Sequence, residues 1–456
     1  MVARTSRAGA IDTVTYDALR RVARVAFGVV SGIAHSSVTS TYDAGDRPTT
    51  ITDTTGRSVA YTYDGLDDVL TETQPNGTVV SSYDALGRRT SVSLGPSRTT
   101  TYGYDAAGRL TAVTRGSAAI GLSYDTVGRL AAIAFPGGLS EKRSYSKGSL
   151  LTKVVTGTVT TAYAYDGDGL LGGVTSGALG VAGPDAQASA TYDAADEPVT
   201  IGATSFTHDA NGNVLSAGTT TYTWNDRGRL ASSTTGGTTT ALSYDALGRA
   251  SSRTVGGATT SYLSDGADPA ATTTAAGTVD DIVGGGRVLA IQDPVSGTIS
   301  LPADRTGSPS AAYSAAGSKL DAYTYSPSGQ RAVATNAVVR NDIGFAGSRV
   351  AVADIGSFGA RSYSATFGRW LSRDPAGIAG GVNQYEYAAG DPVDLVDRTG
   401  NFPAWMTPVG SALGTAFGFV GDAIKLGEAL GNAAGGLGPD GTYSAARFGA
   451  DLGEAL

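Results

Sequence analysis

The sequence predicts an all-β protein built of tandem hairpins. Three observations lead there: a motif returning about every 20 residues, period-two alternation on both sides of it, and a chain dense in Gly turns. The motif is aromatic-Asp-x-x-Gly-Arg followed by a variable, often apolar residue. It reads YDALGRR from Tyr83, YDAAGRL from Tyr104, YDTVGRL from Tyr124 and YDALGRA from Tyr244. Looser copies begin at Tyr16, Tyr42, Tyr63, Tyr165 and Tyr192, and degenerate ones lie around Tyr145, His208 and Trp224. From Tyr63 to Tyr165 the aromatic returns at intervals of 20, 21, 20, 21 and 20 residues.

Each piece of the repeat has a physical reading. Segments such as 99–104 (TTTYGY) and 109–113 (RLTAV) alternate with period two and carry Thr, Tyr and Val, which suits half-buried strands. The Asp-x-x-Gly between them is a turn, with the Asp side chain accepting backbone N–H groups and Gly taking positive φ. The far end of a unit has its own turn, such as Pro75-Asn76-Gly77 or Pro136-Gly137-Gly138. One unit is therefore one hairpin, too small to stand alone, which must pair edge to edge with its neighbours. In this frame each Tyr packs and each Asp caps a turn. His208 fills a Tyr slot, and His35 sits in a weakly patterned stretch.

Composition narrows the function classes. The chain has 456 residues, net charge -8 and only five Lys, which argues against nucleic acid as a partner of the main body. With no Cys, there are no disulfides, thiolate nucleophiles or Cys-based zinc sites, and two His are too few for a His-rich metal centre. No Gly-rich turn is followed by Gly-Lys-Ser/Thr, so no phosphate loop is expected, and no cofactor. The first 21 residues lack an apolar stretch of the signal-peptide kind.

The tandem motif resembles the YD repeats of bacterial Rhs proteins, Tc toxin C components and animal teneurins. That resemblance implies a spiral β-sheet wound into a shell over roughly residues 10–400. Weaker family-like pieces follow at 304–309 (DRTGSP), 325–330 (YSPSGQ) and 344–347 (GFAG). Residues 361–400 resemble the Rhs-associated core: Arg361 and Tyr363; Gly368, Arg369, Trp370 and Leu371; Asp374, Pro375 and Gly377; Gly380, Gly381, Asn383, Tyr385 and Tyr387; Asp391 and Pro392; Asp397 and Gly400. The expected organisation is a YD-repeat array over 1–255, an irregular β lead-in over 256–360, the core over 361–401 and a variable tail over 402–456.

In that family the core acts as an aspartyl autoprotease that frees the C-terminal segment. Carried over, the resemblance implies Asp374 and Asp397 as the carboxylate pair, Arg361 as their basic support, and a cut between Asn401 and Phe402. Two carboxylates and a water can hydrolyse a peptide when one stays ionised and the other keeps its proton. Three departures bear on this: Arg398 replaces the usual Pro of the last motif, Asn401 replaces an apolar residue, and the family's Asn-Pro pair reads Asp391-Pro392. The alternative is that both Asp residues only cap turns.

The tail changes character. Residues 406–421 are uncharged and apolar, with Gly410, Gly414 and Gly418 spaced for close helix packing, but 16 residues fall short of a bilayer span. Asp422, Lys425 and Glu428 continue at helical spacing, so a small helical tail is expected. It reads either as a membrane-perturbing or pre-toxin segment or as a linker. The leading expectation is thus a secreted or cell-surface Rhs-type toxin shell whose partners are its own C-terminal segment and a cognate immunity protein, with a membrane considered for the tail alone. The competing ones are an adhesive surface protein that binds carbohydrate without cutting, and a truncated, inactive chain.

Overall fold

The computed structural model describes residues 2–28, 36–176, 189–335, 339–352, 354–375, 377 and 381–400. His35, Asn401, Phe402 and the expected helical tail lie outside the described residues. Those described form two long antiparallel sheets and a small one, with 17, 16 and 4 strands. The first sheet runs from Val2–Thr5 to Leu171–Ser176, the second from Ala190–Tyr192 to Arg331–Thr335, and the third from Arg349–Val352 to Arg369–Trp370. In each, every strand pairs with the next one in sequence, as a chain of hairpins demands.

The turn at Asp84 explains why these residues form this unit. The Asp84 N–H donates to the Arg88 carbonyl at 2.9 Å, and the Gly87 N–H returns to the Asp84 carbonyl at 3.0 Å. Gly87 has φ +71, a conformation that costs other residues a Cβ clash. Asp84 Oδ1 accepts the N–H groups of Leu86 and Arg88, and Oδ2 accepts Arg88 Nε at 2.7 Å. That bond with Arg88 holds the Asp84 carboxyl below its ordinary range. The same closure recurs at Asp105 and Asp125.

Two features couple one unit to the next and were not legible in the motif. The Arg88 guanidinium lies 4.8 Å from the ring centre of Tyr104, one repeat on, and the pattern recurs for Arg109 on Tyr124 and Arg129 on Tyr145. Each Tyr hydroxyl donates back to the preceding unit, as Tyr104 does to the Arg89 carbonyl at 2.8 Å. The register also slips just before the motif Tyr, at Ser82/Tyr83, Gly103/Tyr104 and Ser123/Tyr124. Such bulges sharpen local twist.

Past residue 255 the YD motif fades, but antiparallel pairing of successive strands continues from Ala258–Asp265 to Lys319–Tyr325, with a longer connection between Gly297–Ser300 and Ala311–Ser314. Irregular strands were expected there. Gly pairs at positive φ, Gly256-Gly257 and Gly285-Gly286, turn the chain at two hairpins there, while Asp293 and Asp304 cap other turns through Oδ1.

The two long sheets meet through their buried faces. Leu110, Val113, Ile120 and Ile133 of the first pack with Ile282 and Leu289 of the second. Val79 and Val92 pack with Leu263 and Ala271. Charged side chains cross the same seam: Arg98 and Arg115 both pair with Asp280, and Arg89 pairs with Asp265. Glu141, fully buried, accepts Arg287 Nη2 at 3.0 Å from the opposite sheet.

Candidate functional site

The small third sheet carries an aromatic core of its own. Phe345, Phe358, Tyr363, Trp370 and Tyr387 are all buried and touch one another, with ring centres 4.7 Å apart for Tyr363 and Tyr387 and 5.5 Å for Tyr363 and Trp370. The strand Arg361–Ser364 has all four residues buried, so Arg361 is drawn inward with its neighbours. Its guanidinium lies 4.1 Å from the Trp370 ring centre. A buried charge must be paired, and this one is.

Arg361 is the hub of the site. Its Nη2 contacts Asp374 Oδ2 at 2.8 Å and Asp397 Oδ2 at 3.0 Å. Its Nη1 donates to the Gln384 carbonyl at 3.3 Å, and its Nε donates to the Gly400 carbonyl. Burial pushes the guanidinium below its usual value, while Asp374 and Asp397 pull the other way. The three residues singled out in the sequence therefore meet around one guanidinium, with Asp374 13 positions and Asp397 36 positions after Arg361 in the chain.

Asp397 is held on both oxygens. Oδ1 accepts the Thr399 N–H and hydroxyl at 3.2 Å each and the Gly400 N–H at 2.8 Å, while Oδ2 takes Arg361. Its own N–H donates to Tyr387 Oη at 3.3 Å. Asp374 is fixed through its backbone, donating to the Gln384 carbonyl at 3.0 Å. Gly400 has φ +71, and a Cβ there would stand 2.4 Å from the Phe358 carbonyl oxygen. The site ends in a glycine that nothing larger can replace.

Two of the residues that depart from the family pattern, Arg398 and Asp391, have partners. Arg398 donates to the Gly286 carbonyl at 3.0 Å and the Thr306 carbonyl at 2.8 Å, tying the last motif to the second sheet. Asp391 Oδ1 accepts the Asp394 N–H at 2.9 Å, closing its turn. Asp394 in turn receives the Leu171 N–H and Arg305, at 3.1 and 3.2 Å. Tyr385, in the same motif, donates to the Gly212 carbonyl at 2.6 Å. The sequence had not marked Gln384, Trp370 or Tyr387 as parts of the site. Two of them were visible only as motif aromatics, and Gln384 contributes through its carbonyl, which any residue carries.

His208 does not join this site. It ends the strand Thr204–His208, with Nδ1 3.9 Å from the Glu197 carboxylate and its ring edge-on to Tyr385.

The match to known proteins follows this architecture. A model of the teneurin YD-shell matches residues 67–181 and 138–393, together most of the chain, and an RHS repeat model matches 42–79. The chain belongs to the teneurin YD-shell family. Among solved structures it is similar to a TcdB2-TccC3-Cdc42 complex, at 17% identity over 87% of this chain with TM-score 0.43. It is likewise similar to the Tc holotoxin pore of Photorhabdus luminescens, at 17% identity over 88% of this chain with TM-score 0.44. The chain spans about a quarter of the length of those chains, 24% in each case. No curated protein matches it. Among the described residues of this YD-shell protein, no helix is long and apolar enough to cross a membrane.

Proposed function

We propose that this YD-shell protein is an exported Rhs-type toxin shell that encloses its own C-terminal segment and releases it by cutting the chain after Asn401. The observation that carries the reading is the hub at Arg361. One buried guanidinium binds Asp374, Asp397 and the carbonyl of Gly400, the last residue before Asn401. Asp374 is the proton-transfer group in this reading. Asp397, held by four donors, and Arg361 position the chain. A cut made once per folded molecule needs only this: an anchored peptide, a carboxylate beside it and little competing water.

The test uses the full chain and the Asp374→Asn variant, denatured and weighed by intact mass. A C-terminal fragment beginning at Phe402 in the parent alone supports self-cleavage. An intact parent overturns it. Enclosure is read separately: in the uncut variant, the segment after Phe402 resists added protease until urea opens the sheets. Digestion of that segment in the native protein overturns enclosure and favours a surface protein that holds no cargo.

A further inference from the structure

We propose that Tyr385 is a positioning residue of the Arg361 site, holding Asp374 and Arg361 in place through a hydrogen-bonded path that begins in the second sheet. This rests on the self-cleavage reading and adds its regulation: the site is competent only while the core is seated on the turn at 209–213.

That turn is built to present one carbonyl. Asp209 Oδ1 accepts the Asn211 and Asn213 N–H groups at 2.9 Å each, and Oδ2 accepts Asn213 Nδ2 at 2.8 Å. The Gly212 N–H returns to the Asp209 carbonyl at 3.0 Å. Gly212 has φ +88, and a Cβ there would collide with Tyr385 Oη and the Arg373 side chain. At the same step of other units, Gly108 and Gly128, a Cβ would meet nothing closer than 3.7 Å. Gly212 therefore serves its turn and also makes room for the core.

Tyr385 fills that room. It is fully buried and donates its hydroxyl to the Gly212 carbonyl at 2.6 Å. A buried tyrosine hydroxyl needs such a partner, so the bond fixes where the ring and its backbone lie. The next residue back is Gln384, whose carbonyl accepts the Asp374 N–H at 3.0 Å and Arg361 Nη1 at 3.3 Å. Its Oε1 accepts Arg373 Nε at 2.5 Å. One peptide thus separates the anchored Tyr385 from the carbonyl that two site residues share. A parallel path runs beside it. The Val214 N–H donates to the Leu371 carbonyl at 2.9 Å, the Leu371 N–H to the Ser362 carbonyl at 2.9 Å, and the Trp370 N–H to the Tyr385 carbonyl at 3.0 Å. Residues 212–214 of the second sheet hold both flanks of the site.

A carboxylate that moves a proton must stay within hydrogen-bond reach of it, and a misplacement of about 1 Å can cost on the order of 100-fold in rate. Tyr385 acts on that distance through Gln384. Asp394, bonded to the Leu171 N–H at 3.1 Å and to Arg305 at 3.2 Å, is a tie of the core that does not run through residues 384–385. It serves as the control.

The experiment makes the full parent chain, Tyr385→Phe, Gly212→Ala and Asp394→Asn by cell-free synthesis. The cut fraction is followed over time by intact mass, and amide hydrogen exchange over 369–374 is measured on the same four chains. Tyr385→Phe and Gly212→Ala should cut about tenfold more slowly than the parent and exchange about tenfold faster over 369–374. Asp394→Asn should match the parent in both. Cutting of Tyr385→Phe at the parent rate, or equal slowing in all three variants, overturns the role of Tyr385 while self-cleavage stands. A parent that is never cut overturns self-cleavage, and exchange then decides the positioning alone: faster exchange in Tyr385→Phe but not in Asp394→Asn supports it, and any other pattern overturns it.

Discussion

Glu141 offers the sharpest test of how the two long sheets are held together. It is fully buried on the strand Ser140–Tyr145 and bonds Arg143 at 2.7 Å on its own strand. It also takes Arg287 of the opposite sheet at 3.0 Å and the Ala303 N–H at 3.2 Å. Burial pushes its carboxyl up, but Arg287 and Arg143 outweigh burial and hold it at about 2, against an ordinary 4.5. That difference, at about 1.36 kcal/mol per pKa unit, is worth roughly 3 kcal/mol. Breaking a buried ion pair from one side costs a similar 3–5 kcal/mol or so, because the stranded partner stays buried. Glu141→Gln should therefore lower stability at pH 7 by about 3 kcal/mol.

The pH dependence has a definite sign. The folded pKa lies below the unfolded one, so this stabilisation is present above about pH 4.5 and fades as pH falls toward 2. The gap between parent and variant should be full at pH 7 and mostly closed near the folded pKa. Urea midpoints at the two pH values measure it. A gap below about 1 kcal/mol at pH 7, or one that does not change with pH, would refute the idea that this pair ties the sheets. A second change, Arg287→Gln, should recover part of the loss, since it removes the guanidinium left unpaired.

Trp370→Ala should cost about 3–5 kcal/mol, since it empties the centre of the aromatic core and bares Arg361; an unchanged urea midpoint would count against that core. Arg398→Ala should cost about 1–2 kcal/mol, because the side chain is exposed yet holds two carbonyls of the second sheet. Arg398→Pro, which restores the usual family residue, should lose the same bonds, and unaltered stability in both variants would show that they contribute nothing. Gly212→Ala should free the core from the second sheet, since a Cβ there meets Tyr385 Oη at 2.4 Å; faster proteolysis of residues 361–400 checks it.

The site was partly legible. Arg361, Asp374 and Asp397 stood out because they fall in a recognisable motif order, and the structure brings them together. The donors that saturate Asp397 were not legible, since three of the four belong to Thr399 and Gly400 in the turn it closes. Nor was the work of Arg398, which read as the loss of a Pro but grips carbonyls 112 and 92 residues away in the chain.

The hairpins themselves were determined by the sequence alone. Asp84, Gly87 and Arg88 close a turn among themselves, and the strands beside them alternate within six or seven residues, so every cause lies within a few positions of its effect. Only the tertiary structure decided which buried charges meet. Glu141 and Arg287 are 146 residues apart, Arg98 and Asp280 are 182 apart, and either could have paired elsewhere. Local periodicity fixes which way each side chain points. It does not fix which distant strand will face it, because that depends on how two long sheets come to lie against each other.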